Sequence, residues 1–386
     1  MLHLFLPVGS GTGWDTCGKY LTIELSRLEN IGLITSSKVT PDKIGDELEH
    51  YTISQLPINT IDGVNYEQGK NLIKGVSIRM LNDFDLSLWF EDIKSEIIMG
   101  YTFYYGYPLS SKHLYTAKGY DLIVAGSSFC EEQLNNAGID NTKTIIQGIT
   151  PHIFNSAFNS KSLFKDRFVI FSGGKFEFRK GQDIVLKAFK IFSDKHPDAL
   201  LVNSWVNLWE FSLNTMAAST LIDFAFDVND YNSSMNNLYK INGVDPKKVI
   251  TLSTKTPCHL ANIFKNTDIG LFPNRCEGGT NLMLMEYMAC GKPVIATAKT
   301  GHADIIENGN AFALKCYGQV KNRKGDLSNY SGWVEPDVEE IVACLDAAYD
   351  DRELCRQKGK ASGSHLSGLT WQKAAEKFYQ TAKDVM

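Results

Sequence analysis

The sequence predicts an α/β protein made of two Rossmann-like domains, each with a parallel sheet. Short apolar runs alternate with stretches of helical periodicity, a pattern typical of parallel sheets that helices cover on both faces. At 386 residues the chain is too long for one ordinary hydrophobic core. Residues 151–166 lack clear periodicity and are rich in Ser and Asn, so they separate two alternating series.

The first series predicts an N-terminal domain over residues 1–155. A helix is expected at about Thr16–Glu29, and another at 127–138, which begins at serine caps and ends at Asn-Ala-Gly. The predicted strands are LHLFLPV (2–8), IGLITSS (31–37), SIRML (77–81), EIIMGYTF (96–103), DLIVAG (121–126) and KTIIQG (143–148).

The second series predicts a C-terminal domain over residues 167–369, after a linker at 156–166. Residues 370–386 predict a terminal helix, because their apolar residues recur at i, i+3 and i+4, and this helix is expected to cross back to the N-terminal domain. The predicted strands of this domain are FVIFSG (168–173), ALLVNS (199–204), KVITLS (248–253), DIGLFPN (268–274) and PVIAT (293–297). Its predicted helices cover about 181–195, 208–219, 257–266 and 281–289.

Charge is unevenly distributed along the chain. The net charge of −5 predicts no general attraction to nucleic acid or to anionic membranes. Residues 1–160 contain 11 Lys/Arg and 18 Asp/Glu, a net −7, whereas the remainder contains 28 and 26, a net +2. A polyanionic partner is therefore not expected for the first domain, whereas the second domain is compatible with one.

The N-terminus and the cysteines bear on localisation. MLHLFLPVGSGTG has no basic start, so it does not fit a signal peptide, and no apolar run approaches the ~18–20 residues of a membrane span. Eight cysteines are scattered without a C-x-x-C pair, which favours free thiols over a zinc site or a disulfide framework. These features predict a cytoplasmic protein.

The strongest candidate site is EGGTNLMLMEYMACGKPVIAT, residues 277–297. Glu277 and Glu286 bracket a Gly-Gly-Thr-Asn turn and the start of a helix. A glycine turn that leads into a helix N-terminus presents unpaired N–H groups to an anion such as a diphosphate, and a carboxylate on each side can accept hydrogen bonds from sugar hydroxyls. The segment therefore suits a nucleotide sugar, although a capped helix on a sheet also explains its apolar residues.

A second candidate is FSGGKFEFRKGQD, residues 171–183. A strand ends at Gly173-Gly174, and Lys175 and Lys180 stand five residues apart around a short turn. In an open α/β sheet, ligands bind at the carboxyl ends of the strands, where two ammonium groups can neutralise a diphosphate. The alternative is a solvated basic surface turn.

These two segments, in this order, resemble the nucleotide-binding half of the retaining glycosyltransferases of family 4 type, the glycosyl transferases group 1, which have the GT-B architecture. The family pattern is matched by Gly174-Lys175 followed by Lys180-Gly181, and by Glu277-Gly278 followed by Glu286 to Ile295. The likeness covers about residues 97–386 and is strong from 168. Further similar stretches are GITPHIF (148–154), DIGLFPN (268–274), TGHADIIENGNAF (300–312) and TWQKAAEKFY (370–379).

Four positions depart from the family pattern. Lys175 stands where the family usually has Arg, which keeps the charge but loses the bidentate fork. Eight residues separate Glu277 from Glu286, where seven are common, and Thr150 replaces an Asp. The aromatic run GYTFYYGYPLSS, 100–111, gives no counterpart to a histidine often found in the acceptor domain.

The resemblance implies roles for individual residues. Glu277, Lys180 and Lys175 would form the catalytic group, in which Glu277 contacts the donor sugar and the lysines bind the diphosphate. Glu286 would bind the ribose hydroxyls, and Thr254 the base. The other implied donor-binding residues are Gly174, Gly278, Gly279, Thr280, Asn281 and Leu282, the last three through backbone N–H groups.

The loop Gly9–Gly13 is a near miss to the dinucleotide-binding fingerprint, because Trp14 occupies the last glycine position and the next strand lacks a terminal acid. Gly11 and Gly13 are instead expected to let the backbone approach the donor phosphate or the acceptor. Trp14 is expected either to stack on a sugar or to pack at the interface. Asp15 could act as an acid or cap the helix.

Together these features and the resemblance predict hexosyl transfer from a UDP- or GDP-linked sugar to an acceptor hydroxyl, without a metal or other cofactor. Retention of configuration is what the resemblance implies. The two domains would face a cleft, with the acceptor on the first domain and His302 a candidate at the cleft. The acceptor would be a glycan or a small molecule. Alternatives are a phage-type enzyme that modifies hydroxymethylated DNA bases, using KNRKG (321–325) or Lys112 and Lys118, a non-catalytic nucleotide-sugar-binding protein, and an enzyme with a lipid acceptor.

Overall fold

The computed structural model describes most of the chain in two compact units. The first unit comprises Met1–Thr150, Gly278–Leu282 and Leu369–Met386, and the second comprises Pro151–Glu277 and Met283–Gly368. Parts of the predicted strand IGLITSS, the linker 156–166, the helix 208–219 and the KNRKG segment lie outside the described residues. The described residues are 1–35, 39–45, 47–56, 58–62, 72–157, 161–207, 209–316, 318–323, 325 and 330–386.

The first unit is built on a parallel sheet whose strand order is β3-β2-β1-β4-β5-β6-β7 in the described residues. Its strands are β1 Leu2–Phe5, β2 Ile31–Thr35, β3 Ile58–Asp62, β4 Ile73–Met80, β5 Ser95–Thr102, β6 Leu122–Ala125 and β7 Thr142–Thr144. Its helices include α1 Gly13–Ser26, α2 Pro41–Ile44, α3 Glu47–Ser54, α4 Ser111–Lys118 and α5 Ser128–Asn136. All residues of β1 and β2 are buried, as expected for central parallel strands with near-continuous apolar sequences.

The first helix begins earlier than the sequence pattern predicted. Helix α1 starts at Gly13, because Thr12 has an extended backbone and its hydroxyl accepts a hydrogen bond from the Asp15 amide at 3.1 Å. The predicted start at Thr16 is therefore wrong by three residues. The expectation that Asp15 caps the helix is also wrong, since Asp15 lies in the first turn, where its carboxylate still suits the helix dipole.

Close packing of α1 on the end of β1 depends on Gly18. A Cβ atom at Gly18 would lie 1.8 Å from the Pro7 carbonyl oxygen, whereas one at Gly13 would meet no atom of the described residues within 4 Å. We therefore expect Gly18→Ala to lower the free energy of unfolding by about 2–3 kcal/mol. Gly13→Ala is the control and should cost nothing, since alanine favours helix. Equal denaturation midpoints for the two variants would contradict the packing argument.

The second unit is also doubly wound, with parallel strands in the order β10-β9-β8-β11-β12-β13 among the described residues. Its strands are β8 Phe168–Gly173, β9 Ala199–Ser204, β10 Val249–Thr251, β11 Ile269–Phe272, β12 Val294–Thr297 and β13 Phe312–Leu314. Its helices are α6 Gln182–Lys195, α7 Glu210–Leu213, α8 Tyr231–Ile241, α9 Pro257–Lys265, α10 Leu282–Ala289, α11 Val338–Asp350 and α12 Arg352–Leu366. These two sheets confirm the predicted fold class.

Most predicted elements of this unit agree with the structure, and one does not. Strands FVIFSG and ALLVNS have the predicted bounds. The helix predicted at 208–219 is instead the short helix α7 followed by a 3-10 helix at Asn214–Ala218. No side chain of the described residues caps α7, and the chain tightens into the 3-10 form after one turn.

The chain ends in helix α13, Trp371–Asp384, which belongs to the first unit and packs against α1. Thr370 caps it, since its hydroxyl accepts a hydrogen bond from the Lys373 amide at 3.2 Å. Thr370 also pairs with Ile149 in an isolated parallel bridge. The apolar face of α13 is buried, namely Trp371, Ala374, Ala375, Phe378 and Ala382. None of the helices in the described residues is long and apolar enough to cross a bilayer.

In both sheets the strand order reverses direction between two central strands. The reversal lies between β1 and β4 in the first unit and between β8 and β11 in the second. Ligands of doubly wound sheets bind beside such a point, outside the carboxyl ends of the strands. The segment after β8 is the predicted 171–183 site, and the segment after β11 begins the predicted 277–297 site.

Candidate active site

The loops after β8 and β11 join Lys180 to Glu277. The Lys180 Nζ lies 2.6 Å from Glu277 Oε1, and the two side chains are 11% and 6% exposed. Two residues that the sequence pattern selected from separate motifs are thus in direct contact. They form a buried ion pair beside the strand-order reversal of the second unit.

Arg179 completes this group, although the sequence motifs did not single it out. Its Nη1 donates to Glu277 Oε2 and to the Cys276 carbonyl, each at 2.8 Å, and its Nη2 donates to Glu177 Oε1 at 2.6 Å. The motif FRKG contained the signal, since a second cation precedes Lys180. The family pattern includes the Lys180-Gly181 pair but not Arg179.

Lys175 contacts a different carboxylate from Lys180. Its Nζ lies 3.4 Å from Glu177 Oε2 and 5.2 Å from the centroid of the Trp209 ring, and its side chain is one-third exposed. Glu177 is buried and also accepts a hydrogen bond from the Ser212 hydroxyl at 2.6 Å. Glu177 therefore links Lys175 to Arg179, and through Arg179 to Glu277.

The charges in this group determine its protonation. Burial by itself would raise the pKa of the Glu277 carboxyl, but Arg179 and Lys180 lower it to about 2. Burial would likewise raise the pKa of Glu177, which Arg179 and Lys175 hold below its ordinary value. Burial lowers the pKa of Lys180, although Glu277 opposes this. Both carboxylates are thus ionised at neutral pH.

The backbone of Glu277 is fixed by the residues that follow β12. The Glu277 amide donates to Thr300 Oγ1 at 3.1 Å, and the Gly301 amide donates to the Glu277 carbonyl at 2.8 Å. Thr300 has a φ of 55°, a left-handed conformation that is strained for a β-branched residue. Asn274 also donates a hydrogen bond to Glu277 Oε1. Hydrogen bonds to the backbone and to the side chain of Glu277 therefore orient its carboxylate.

Arg275 anchors the loop that carries Glu277. It is fully buried, and its guanidinium donates to both carboxylate oxygens of Asp183 at 2.7 and 2.8 Å. It also donates to both oxygens of Glu335 at 2.9 and 2.8 Å. Bidentate pairing of this kind fixes a planar guanidinium strongly. Asp183 at the start of α6 and Glu335 thereby hold the 273–277 loop to the unit.

Gly181 permits the close approach of the two loops. Its φ is 72°, and a Cβ there would lie 2.2 Å from the Pro273 carbonyl oxygen. A side chain at this position would therefore both strain the backbone and separate the loop after β8 from the loop after β11.

His302 lies in the 3-10 helix Thr300–Asp304 and is fully buried. Burial lowers its pKa from 6.5 to about 4, although the Glu277 charge acts to raise it. Since the folded pKa is lower, the neutral imidazole stabilises the fold above pH 6.5, and this stability is lost as the pH falls through 4. The shift corresponds to about 3 kcal/mol.

As the pH is lowered from 6.5 to 5, we therefore expect the free energy of unfolding to decrease more steeply in the wild type than in His302→Gln. The two slopes should differ by about 1 kcal/mol per pH unit. Denaturant titrations at several pH values measure this difference in slope. His152→Gln, which removes an exposed histidine, is the control. Identical slopes in the wild type and His302→Gln would show that His302 is not responsible.

The remaining donor-site candidates are distributed over both units. Residues 278–282 belong to the first unit, where the Ser127 hydroxyl donates to the Gly278 carbonyl at 2.7 Å. A Cβ at Gly279 would lie 2.7 Å from the Phe103 ring, so this turn requires glycine. Asn281, with a φ of 61°, precedes α10.

The other donor-site candidates lie within the second unit. Glu286 is half-buried on α10, Thr254 is exposed beyond β10, and Gly174 has a φ of 117°. Their ligand contacts stay predictions.

Trp14 packs inside the first unit. Its ring lies 5.2 Å from that of Tyr101 and 4.7 Å from that of Phe103, and its Nε1 donates to Asp83 Oδ2 at 3.3 Å. These contacts all lie within one unit, and packing of Trp14 at an interface stays a prediction. A sugar contact of Trp14, and acceptor or phosphate contacts of Gly11, Gly13 and Asp15, stay predictions.

Within the described ranges, no three His, Cys, Asp or Glu side chains are grouped as a metal site would require.

Part of the sequence is similar to known glycosyltransferases. Residues 229–326 match the family model of the glycosyl transferases group 1. D-inositol 3-phosphate glycosyltransferase from Arthrobacter sp. (strain FB24) is 23% identical over 245 residues, which are 62% of this chain and 49% of that protein. The corresponding enzyme from Paenarthrobacter aurescens (strain TC1) is 22% identical over 244 residues, 62% of this chain and 50% of that protein. The chain thus spans about half the length of these curated relatives.

Solved structures share the fold over the whole chain. The Anabaena protein HepE in complex with UDP and glucose superposes with a TM-score of 0.68 at 15% identity, covering 100% of both chains. Sucrose-phosphate synthase from Thermosynechococcus elongatus has a TM-score of 0.67 at 15% identity and covers 100% of this chain and 98% of its own. The chain therefore has the GT-B fold, and its residues 229–326 carry the group 1 glycosyltransferase sequence pattern.

Proposed function

We propose that this chain, a GT-B-fold protein of the glycosyl transferases group 1, transfers a hexose from a nucleoside-diphosphate sugar to an acceptor hydroxyl. The contact of Arg179 and Lys180 with Glu277, at the carboxyl edge of the second sheet, carries this proposal. It combines cations for a diphosphate with an ionised carboxylate for sugar hydroxyls.

The charge balance of the group supports an anionic ligand. Lys175, Arg179 and Lys180 supply three positive charges and Glu177 and Glu277 two negative ones, which leaves one positive charge before a donor enters. As the glycosidic bond breaks, negative charge grows on the leaving phosphate, so the cations bind the transition state more tightly than the ground state.

We propose retention of configuration and no catalytic metal as finer features. The retaining assignment follows the family resemblance, in which the departing phosphate takes the acceptor proton. Metal independence follows from the three cationic side chains, which can supply the charge that a divalent ion would otherwise supply. Addition of EDTA should then leave transfer unchanged, and inactivation by EDTA would contradict it.

A UDP-linked hexose is the first donor to test, since the similar HepE structure is a complex with UDP and glucose. We expect millimolar UDP-, GDP-, ADP- and dTDP-sugars to raise the melting temperature in one nucleotide family alone. A ligand at 100 times its Kd adds about 2.7 kcal/mol. Lys180→Met should abolish the shift. Absence of a shift with every donor would contradict the proposal and favour a different ligand.

A reducing compartment such as the cytoplasm is the proposed location. All eight cysteines are free thiols, and six of them are buried. Free cysteines throughout a chain are typical of proteins kept in reducing surroundings.

A further inference from the structure

Three aromatic rings lie close together in two loops of the first unit, and one of them, Tyr107, also packs against a buried hydrophobic cluster of that unit. Phe84 lies in the loop after β4, and Tyr105 and Tyr107 lie in the segment after β5. The Phe84 ring centroid is 5.2 Å from that of Tyr107 and 5.9 Å from that of Tyr105, and the two tyrosine rings are 6.2 Å apart. Both segments leave the sheet at the carboxyl ends of parallel strands, the edge at which such sheets bind ligands.

The loop that carries Phe84 is ordered by its own hydrogen bonds. Leu81 and Leu88 pair in an antiparallel bridge, and the Asn82 amide donates to the Ser87 carbonyl at 2.9 Å. The Phe84 amide donates to Asn82 Oδ1 at 2.9 Å. Phe84 is nonetheless 45% exposed. A large apolar ring is thus fixed in a defined position at the surface, where an apolar ligand face can cover it.

The carboxylate of Asp85 follows Phe84 in the same loop. Asp85 Oδ1 accepts hydrogen bonds from the Ser87 amide and hydroxyl at 3.0 and 2.7 Å, whereas Asp85 Oδ2 forms no hydrogen bond with the described residues. The half-buried carboxylate therefore offers an acceptor atom at the residue that follows Phe84. Aromatic faces suit the C–H face of a pyranose ring, because the π-face is negative and C–H groups are weakly positive. Carboxylates accept hydrogen bonds from its hydroxyls.

The charge of the unit argues against an anionic ligand here. The residues of this unit carry a net charge of −6, from −7 over residues 1–150 and +1 over residues 369–386, and two aspartates border Phe84 in the sequence. A phosphorylated sugar or an anionic bilayer would be repelled, whereas a neutral sugar would not.

We propose that Phe84, Tyr105 and Tyr107 form an aromatic platform that binds the pyranose ring of a neutral, non-phosphorylated glycoside acceptor. This inference rests on the proposed glycosyltransferase function and adds the chemical class of the acceptor. The platform supplies the stacking face, and Asp85 accepts a hydrogen bond from a ring hydroxyl. The aromatic run at 100–111 is thereby given a role that the family resemblance left unassigned.

Saturation-transfer difference NMR tests the platform directly, with the methyl glycosides of glucose, galactose and mannose as neutral probes and glucose 6-phosphate as the anionic probe. We expect one or more neutral probes to bind the wild-type protein through their C–H face. Phe84→Ala should weaken that binding at least tenfold, and Phe84→Trp should retain it. Tyr115→Ala, which removes an 83% exposed tyrosine outside the platform, is the matched control and should bind as the wild type does.

The outcomes separate this inference from the proposed function. If no neutral glycoside binds, if Phe84→Ala binds them normally, or if glucose 6-phosphate binds best, the neutral platform is overturned. Donor binding by the wild-type protein is measured separately through its melting temperature. A donor-induced shift without glycoside binding rejects the platform alone, whereas absence of both rejects the proposed function as well. If Phe84→Trp melts at the same temperature as the wild type, its fold is intact.

Discussion

Replacing Glu277 with glutamine is expected to lower kcat/KM for sugar transfer about 100-fold. The change keeps the size of the side chain but removes the charge that faces Arg179 and Lys180 at 2.8 and 2.6 Å. Each charge-assisted hydrogen bond contributes about 1.5–3 kcal/mol, and a tenfold rate corresponds to about 1.4 kcal/mol. The loss of one such contact to the donor sugar, together with less well ordered Arg179 and Lys180 side chains, accounts for a decrease of two orders of magnitude in kcat/KM.

Steady-state rates with the donor identified by thermal shift measure this effect. Glu353→Gln is the control, because Glu353 forms an exposed pair with Arg356 on α12 and should transfer sugar at the wild-type rate. Circular dichroism establishes whether Glu277→Gln is folded. A folded Glu277→Gln variant with near wild-type kcat/KM would remove Glu277 from the proposed chemistry.

Replacing Arg275 with methionine is expected to lower the free energy of unfolding by about 3–5 kcal/mol. Methionine approximates the length of the arginine but leaves Asp183 and Glu335 without their shared counter-charge. Asp183 is fully buried and the Glu335 side chain is 9% exposed, so both carboxylates would be poorly solvated. The cost of burying an uncompensated charge, rather than the loss of attraction alone, makes this effect large.

Denaturant titration of the variant measures the change in free energy. Arg356→Met removes another Arg–Glu pair, in which the side chains are 66% and 56% exposed, and should cost less than about 1 kcal/mol. Comparable losses in the two variants would mean that burial does not govern the strength of the Arg275 contacts. A loss confined to Arg275→Met supports the anchoring role.

The sequence was a good guide to the central strands and a poorer guide to helix ends. Strand β8 could be located because a buried parallel strand is a continuous apolar run, and FVIFSG ends at Gly173 and is followed by Gly174. The start of α1 was misplaced, since Gly13 and Trp14 do not indicate a helix in the way that the later residues do. The cap at Thr12 is a matter of backbone angle and hydroxyl position, which residue types alone do not determine.

The candidate site was predicted in outline. Motif spacing located Lys180 and Glu277 at the carboxyl ends of two strands, and strand order then brings them together. Arg179 and the partners of Arg275 could not be predicted, because those contacts join residues that are 92, 60 and 98 positions apart. Such pairings depend on the tertiary register of loops, which no local pattern encodes. The same limit applies to residues 278–282, which belong to the first unit although they follow Glu277 in the chain.

The shared use of Glu277 by Arg179, Lys180 and Asn274 has a consequence for how this sequence can diversify. A single substitution that removes the charge of Arg179, Lys180 or Glu277 unbalances the charges of the other two, so single changes should be harmful even where paired changes are tolerated. Combined variants at positions 179 and 277 should therefore deviate from additivity by about 1–3 kcal/mol. Substitution libraries of this chain should accept changes at these positions in compensating pairs, and lineages that alter one member are expected to alter its partner as well.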